Sequence, residues 1–162
     1  MNIVLFEPEI PQNTGNIART CVVTNSSLHL IKPLGFSLDN KYLKRAGLDY
    51  WDLLDVKYYN SWQDFILKNK DAKLYMATTK AKKIYTDFNY SNNDYIVFGK
   101  ESAGIPEEIL LNYKNTSIRI PMIENFRSLN LSNSVAIIIY EVLRQNNFEG
   151  FLKEGELHNY KW

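Results

Sequence analysis

The sequence predicts an α/β domain, a mostly parallel sheet flanked by helices. Two observations carry this. Short apolar runs recur along the chain, each closed by proline, glycine or polar turn residues. Between them lie longer segments with helical spacing or helix-start punctuation, and that alternation indicates βαβ units. The 162 residues, 45% of them apolar, fit one domain over 1–162 with a sizeable core.

Ile3 to Phe6 reads as a buried strand ended by Pro8 and Pro11. Asn13-Thr14-Gly15-Asn16 then precedes a helix through Ile17 to Val23, with Asn13 or Thr14 near its cap. Leu28 to Ile31 is a second strand, closed by Pro33 and Gly35. Asp39 to Ala46 suggests a short helix stopped at Gly47, and Val56 to Tyr59 a third strand. Ser61 caps a helix running to about Lys70, with Trp62, Phe65 and Ile66 on one face. Further strands fall at Lys73 to Ala77, Asp94 to Phe98 and Ser117 to Ile120, with a helix over Pro106 to Leu111. A last helix runs from about Ser132 to Gln145. Its Val135 to Tyr140 stretch is apolar on every side, which fits a central helix of one subunit or one buried by both the sheet and a second subunit.

Composition excludes several classes. No apolar run approaches the roughly 20 residues of a membrane helix, and Met1 to Pro8 lacks a signal peptide's charged lead, so the cytosol is expected. A lone Cys21 forms no internal disulfide, and no zinc spacing or catalytic triad order occurs, so no metal is expected. His29, inside an apolar strand, reads as structural. The net charge of +1 permits an RNA partner without arguing for one. The clusters Lys41, Lys44, Arg45 and Lys80, Lys82, Lys83 read singly as solvated faces.

Three stretches carry polar and glycine residues beyond the needs of packing. Asn13 to Arg19 follows a strand and opens a helix, where free N–H groups suit an anion and Arg19 could fork onto a phosphate; capping plus a surface Arg is the plainer reading. Phe98 to Pro106 is a strand-to-helix turn with Gly99 and Gly104 at P-loop spacing, but Ile105-Pro106 stands where that motif needs Lys and Ser or Thr. No G-x-G-x-x-G occurs either. In the third, Ser128-Leu129-Asn130-Leu131-Ser132-Asn133-Ser134 has more hydroxyls and amides than one cap requires, and Ile120, Met122 and Leu129 could wall an adenine.

In order, these stretches resemble the three motifs of the SPOUT methyltransferases, SpoU-like branch. The phrases Glu7 to Asn16, Arg45 to Tyr50 and Arg127 to Asn133 are most similar to the compact tRNA ribose methylases of the wobble nucleotide. The resemblance covers nearly the whole chain. It implies a C-terminal trefoil knot within about 75–162, a homodimer through helices flanking the knot, and S-adenosyl-L-methionine as methyl donor. Donor contacts carry over to Ala77, Thr78, Gly99, Ile120, Ser128 and Leu129, with Ala77 smaller than the residue relatives often carry. Glu101 and Asn133 match further motif positions of undetermined role. Arg19, with Asn13 in the same motif, is the implied catalytic pair. Such enzymes are often given their arginine as the base, but a guanidinium does not readily give up its proton. Holding a tRNA phosphate and countering charge on the ribose oxygen is the role expected here. The implied activity is 2′-O-methylation of a wobble cytidine or uridine in tRNA. Ribosomal RNA methylation, or an inactive RNA-binding relative, is the alternative.

Overall fold

The computed structural model describes residues 1–37 and 51–162. The helix expected at 39–46, the phrase Arg45 to Tyr50 and the cluster Lys41, Lys44, Arg45 lie outside the described residues.

The described elements are β1 (Asn2–Phe6), α1 (Pro11–Val23), β2 (Ser27–Ile31), β3 (Val56–Tyr59), α2 (Trp62–Lys68), β4 (Leu74–Ala77), β5 (Lys83–Ile84), β6 (Tyr95–Phe98), α3 (Glu107–Asn112), β7 (Ser117–Arg119) and α4 (Leu131–Gln145), with single 3₁₀ turns at Trp51–Leu53 and Tyr85–Asp87. The seven strands form one sheet in the order β3-β2-β1-β6-β4-β7-β5. Every pairing is parallel. The expected α/β architecture holds.

Side chains alternate across the pleat, so each strand feeds two cores. Ile3, Leu5, Leu28, Leu30, Ile96 and Phe98 pack with Ile17, Ala18 and Cys21 of α1 and with Val135, Ile138, Ile139 and Val142 of α4. On the other face Val4, Phe6, Met76 and Val97 pack with Phe65 of α2, and Ile109 and Leu110 of α3 lie against them. Ser61 caps α2 as expected, its hydroxyl accepting from Asp64 N at 3.1 Å.

One helix expectation needs correction. Asn13 and Thr14 do not cap α1; they are buried within it, behind Pro11, and the cap residue Ile10 offers no side-chain bond. The structure also narrows the reading of α4: Asn133, Ile137, Tyr140 and Arg144 form an exposed stripe opposite Val135, Ile138 and Val142, so α4 is not a central helix enclosed within one subunit.

His29 is fully buried in a polar chain. Asn2 Nδ2 donates to Asn93 O at 3.1 Å, which leaves Asn2 Oδ1 to accept from His29 Nε2 at 3.2 Å. His29 Nδ1 then accepts from the Tyr59 hydroxyl at 2.8 Å. Burial, with Lys57 nearby, pushes its pKa down to about 4. The neutral ring is a structural part, as the sequence suggests. Burial likewise pushes the Cys21 thiol up to about 12, which leaves it inert.

Candidate active site

A parallel sheet gathers its connecting loops at the carboxyl ends of its strands, where ligands enter open α/β folds. Here the loops after β4, β6 and β7 meet the start of α1 around a cleft of about 700 Å³. Of the residues implied by motif, Ala77, Thr78, Gly99, Ile120, Ser128 and Leu129 all line it, as do Asn13 and Glu101. The stretches remote in sequence converge. Arg19 and Asn133 do not line the cleft; both are exposed, on the outward sides of α1 and α4.

What joins the loops is a directed hydrogen-bond chain. Asn130 Nδ2 donates to Asn13 Oδ1 at 2.9 Å, and Asn13 Nδ2 donates to Glu101 Oε1 at 2.9 Å. The Glu101 carboxylate also accepts from Glu9 N at 2.8 Å and Ile10 N at 3.3 Å, tying down the two residues that lead into α1. At the far end Asn130 Oδ1 caps α4, accepting from Ser132 N at 2.9 Å and Asn133 N at 3.3 Å. One residue from each loop thus fixes the other two.

Reciprocal contacts reinforce this. The Glu9 carboxylate accepts from Ser102 N at 2.9 Å and Ser102 Oγ at 2.8 Å, and these bonds hold its pKa below the usual value. Lys100 Nζ meets Glu7 Oε2 at 2.9 Å. Asn130, Glu9 and Ser102 were not singled out by sequence. The signal available for Asn130 was its place just before a serine-rich helix start.

The glycines have separate roles. A Cβ on Gly99 would lie 2.0 Å from the Gly104 carbonyl carbon and 2.2 Å from Ile105 N, so the loop folds back onto Gly99 itself. Gly104 closes the fold-back: its N–H donates to Lys100 O at 2.8 Å from a left-handed φ of +72°.

The walls suit an amphipathic ligand. Ile118, Ile120, Met122 and Leu129 supply apolar surface, and Thr78, Ser128 and backbone groups at strand ends supply polar contacts. Of the cations on the lining, Lys80 pairs with Glu107 at 2.8 Å and Lys100 with Glu7, whereas Arg127 makes no ion pair among the described residues. No described helix is long and apolar enough to cross a membrane.

Residues 1–140 match the model of the SpoU rRNA Methylase family. The chain belongs to the SpoU methylase family. It is 48% identical over 158 residues to a tRNA (cytidine(34)-2′-O)-methyltransferase of Yersinia pestis, covering 94% of this chain and 98% of that protein. With a protein of the same description from Saccharophagus degradans it shares 48% identity over 151 residues, 92% of this chain and 97% of the relative. A solved structure concerned with 2-OH methylation of C/U34 on tRNA superposes with a TM-score of 0.86 at 40% identity, covering 91% of this chain and 97% of that one. The SpoU family match spans α1, the β6 turn and the start of α4, the parts that form the cleft.

Proposed function

We propose that this SpoU family member is a tRNA 2′-O-methyltransferase that moves a methyl group from S-adenosyl-L-methionine to the ribose of a cytidine or uridine at the first anticodon position. The observation that carries the reading is the convergence of Ala77, Thr78, Gly99, Ile120, Ser128 and Leu129 on one cleft. The substrate rests on relatives of nearly equal length that are named for it.

The cleft fits the donor. Its volume of about 700 Å³ lies within the range of cofactor sites, roughly 300–1,000 Å³. Ile120, Met122 and Leu129 offer apolar faces for a purine, and Gly99 and its neighbours offer backbone groups to the polar parts. When bound, the donor supplies an activated methyl on a sulfonium centre. The protein's own task is alignment of the acceptor oxygen with that carbon, which can lower the barrier by about 7–11 kcal/mol. The Asn130–Asn13–Glu101 chain holds the loops rigid for it.

Arg19 fits a second task, countering negative charge on the attacking ribose oxygen or on a tRNA phosphate. It is exposed on α1, which packs beside α4, and the outward stripe of α4 carries Ile137 and Tyr140. A homodimer formed through these helices would bring Arg19 to the partner's cleft. The order β4-β7-β5, with β7 between two earlier strands, is compatible with the trefoil knot that the SPOUT resemblance implies.

Incubation of total tRNA with labelled donor, followed by nucleotide mapping, tests the reading. Label on the ribose of the first anticodon nucleotide is expected. Ribosomal RNA is the second substrate to assay, because the family description names it; label there and not in tRNA would replace the tRNA reading.

A further inference from the structure

The segment 120–130 between β7 and α4 forms one wall of the cleft, through Ile120, Met122, Arg127, Ser128 and Leu129. Its tip faces away. A turn at Glu124 and Asn125, with Asn125 at a left-handed φ of +74°, sets Ile123 and Phe126 on its two flanks. Both large apolar side chains stand in solvent, Ile123 77% and Phe126 68% exposed. Neither contributes to a core, so packing does not account for them.

We propose that this turn is a nucleobase platform on the rim of the cleft. The Phe126 ring stacks on an unpaired base of the acceptor RNA, and Arg127, the next residue, holds an adjoining phosphate. The inference rests on the RNA-methylating reading above and adds how the acceptor strand is gripped. An exposed ring next in sequence to an arginine on the cleft wall suits single-stranded RNA, since every base has a π-face and a guanidinium forks onto phosphate. Charge selects the same occupant: Lys80 and Lys100 are engaged by Glu107 and Glu7, while Arg127 has no ion pair among the described residues.

The test compares wild type, Phe126→Ala and Phe126→Trp in steady-state tRNA methylation. Donor affinity is read by calorimetry and self-association by sedimentation. Phe126→Ala is expected to raise KM for tRNA about tenfold, in line with one lost base stack, with donor affinity and sedimentation unchanged. Phe126→Trp is expected to restore KM. Equal KM in all three proteins overturns the platform. So does a raised KM accompanied by weaker self-association, which would make the turn a contact with a second copy. A wild type that binds donor yet methylates no RNA defeats the enzymatic reading instead, so the two failures are distinguishable.

Discussion

Asn13 and Asn130 stand 117 positions apart and share a hydrogen bond of 2.9 Å, with Asn130 Nδ2 donating to Asn13 Oδ1. Because Asn13 Nδ2 donates to Glu101 at the same time, one buried amide sets the register of three loops. That dual use makes Asn13 sensitive to exchange of a single atom. Asn13→Asp would set a second carboxylate oxygen against Glu101, so one acid must take up a proton or the loops must part. Donor affinity is expected to fall at least tenfold, with a lower Tm. In a double-mutant cycle with Glu101→Gln, whose amide can donate, part of the loss is expected to return. Calorimetry and thermal melts over the four proteins check this.

The two glycines of the β6 turn should answer differently to alanine. Gly99→Ala places a Cβ 2.0 Å from backbone that cannot give way without opening the turn, so donor binding is expected to vanish. Gly104→Ala meets nothing within 4 Å and bears only its left-handed φ, a cost of about 1–2 kcal/mol. It should retain donor binding with a modestly lower Tm. Equal damage from both would contradict the fold-back geometry.

His29 makes stability depend on acid. Its folded pKa of about 4 lies below the ordinary 6.5, so between those values the unfolded chain binds a proton that the folded chain refuses. Its contribution is complete above pH 6.5 and is lost as pH falls toward 4. The full span is about 3 kcal/mol. Urea unfolding across that window should show the decline in wild type, and a shallower slope in His29→Gln.

Arg19 lies outside the cleft, so Arg19→Ala is expected to leave donor affinity unchanged while single-turnover methylation drops. If Arg19 serves the neighbouring subunit's cleft, mixing Arg19→Ala with Gly99→Ala and allowing exchange should recover activity that neither has alone. A near-normal single-turnover rate at saturating tRNA would remove Arg19 from the chemistry.

What the sequence disclosed follows the range of the forces involved. Strands such as Ile3 to Phe6 and helix starts such as Ser61 are local, readable from a few neighbours. The strand Lys83–Ile84 escaped because two residues carry no period, and it exists by pairing with β7. The start of α1 is not legible locally, because the residues leading into it, Glu9 and Ile10, are held by Glu101, over 90 positions away, and Asn13 and Thr14 lie buried inside the helix. Asn130 was passed over in favour of Asn133 for a related reason. Both sit at one helix start, but only the bond to Asn13 separates a cap that joins loops from an exposed neighbour. The apolar run of α4 does not by itself say what covers it: in the single chain Ile137 and Tyr140 share an exposed stripe with Asn133 and Arg144.

The most direct measurement is a calorimetric titration of the purified chain with S-adenosyl-L-methionine, beside Gly99→Ala and Arg19→Ala. One saturable site per chain is expected in wild type, the same affinity in Arg19→Ala, and none in Gly99→Ala. No binding to wild type, or binding that ignores Gly99→Ala, would contradict the cleft as the donor site.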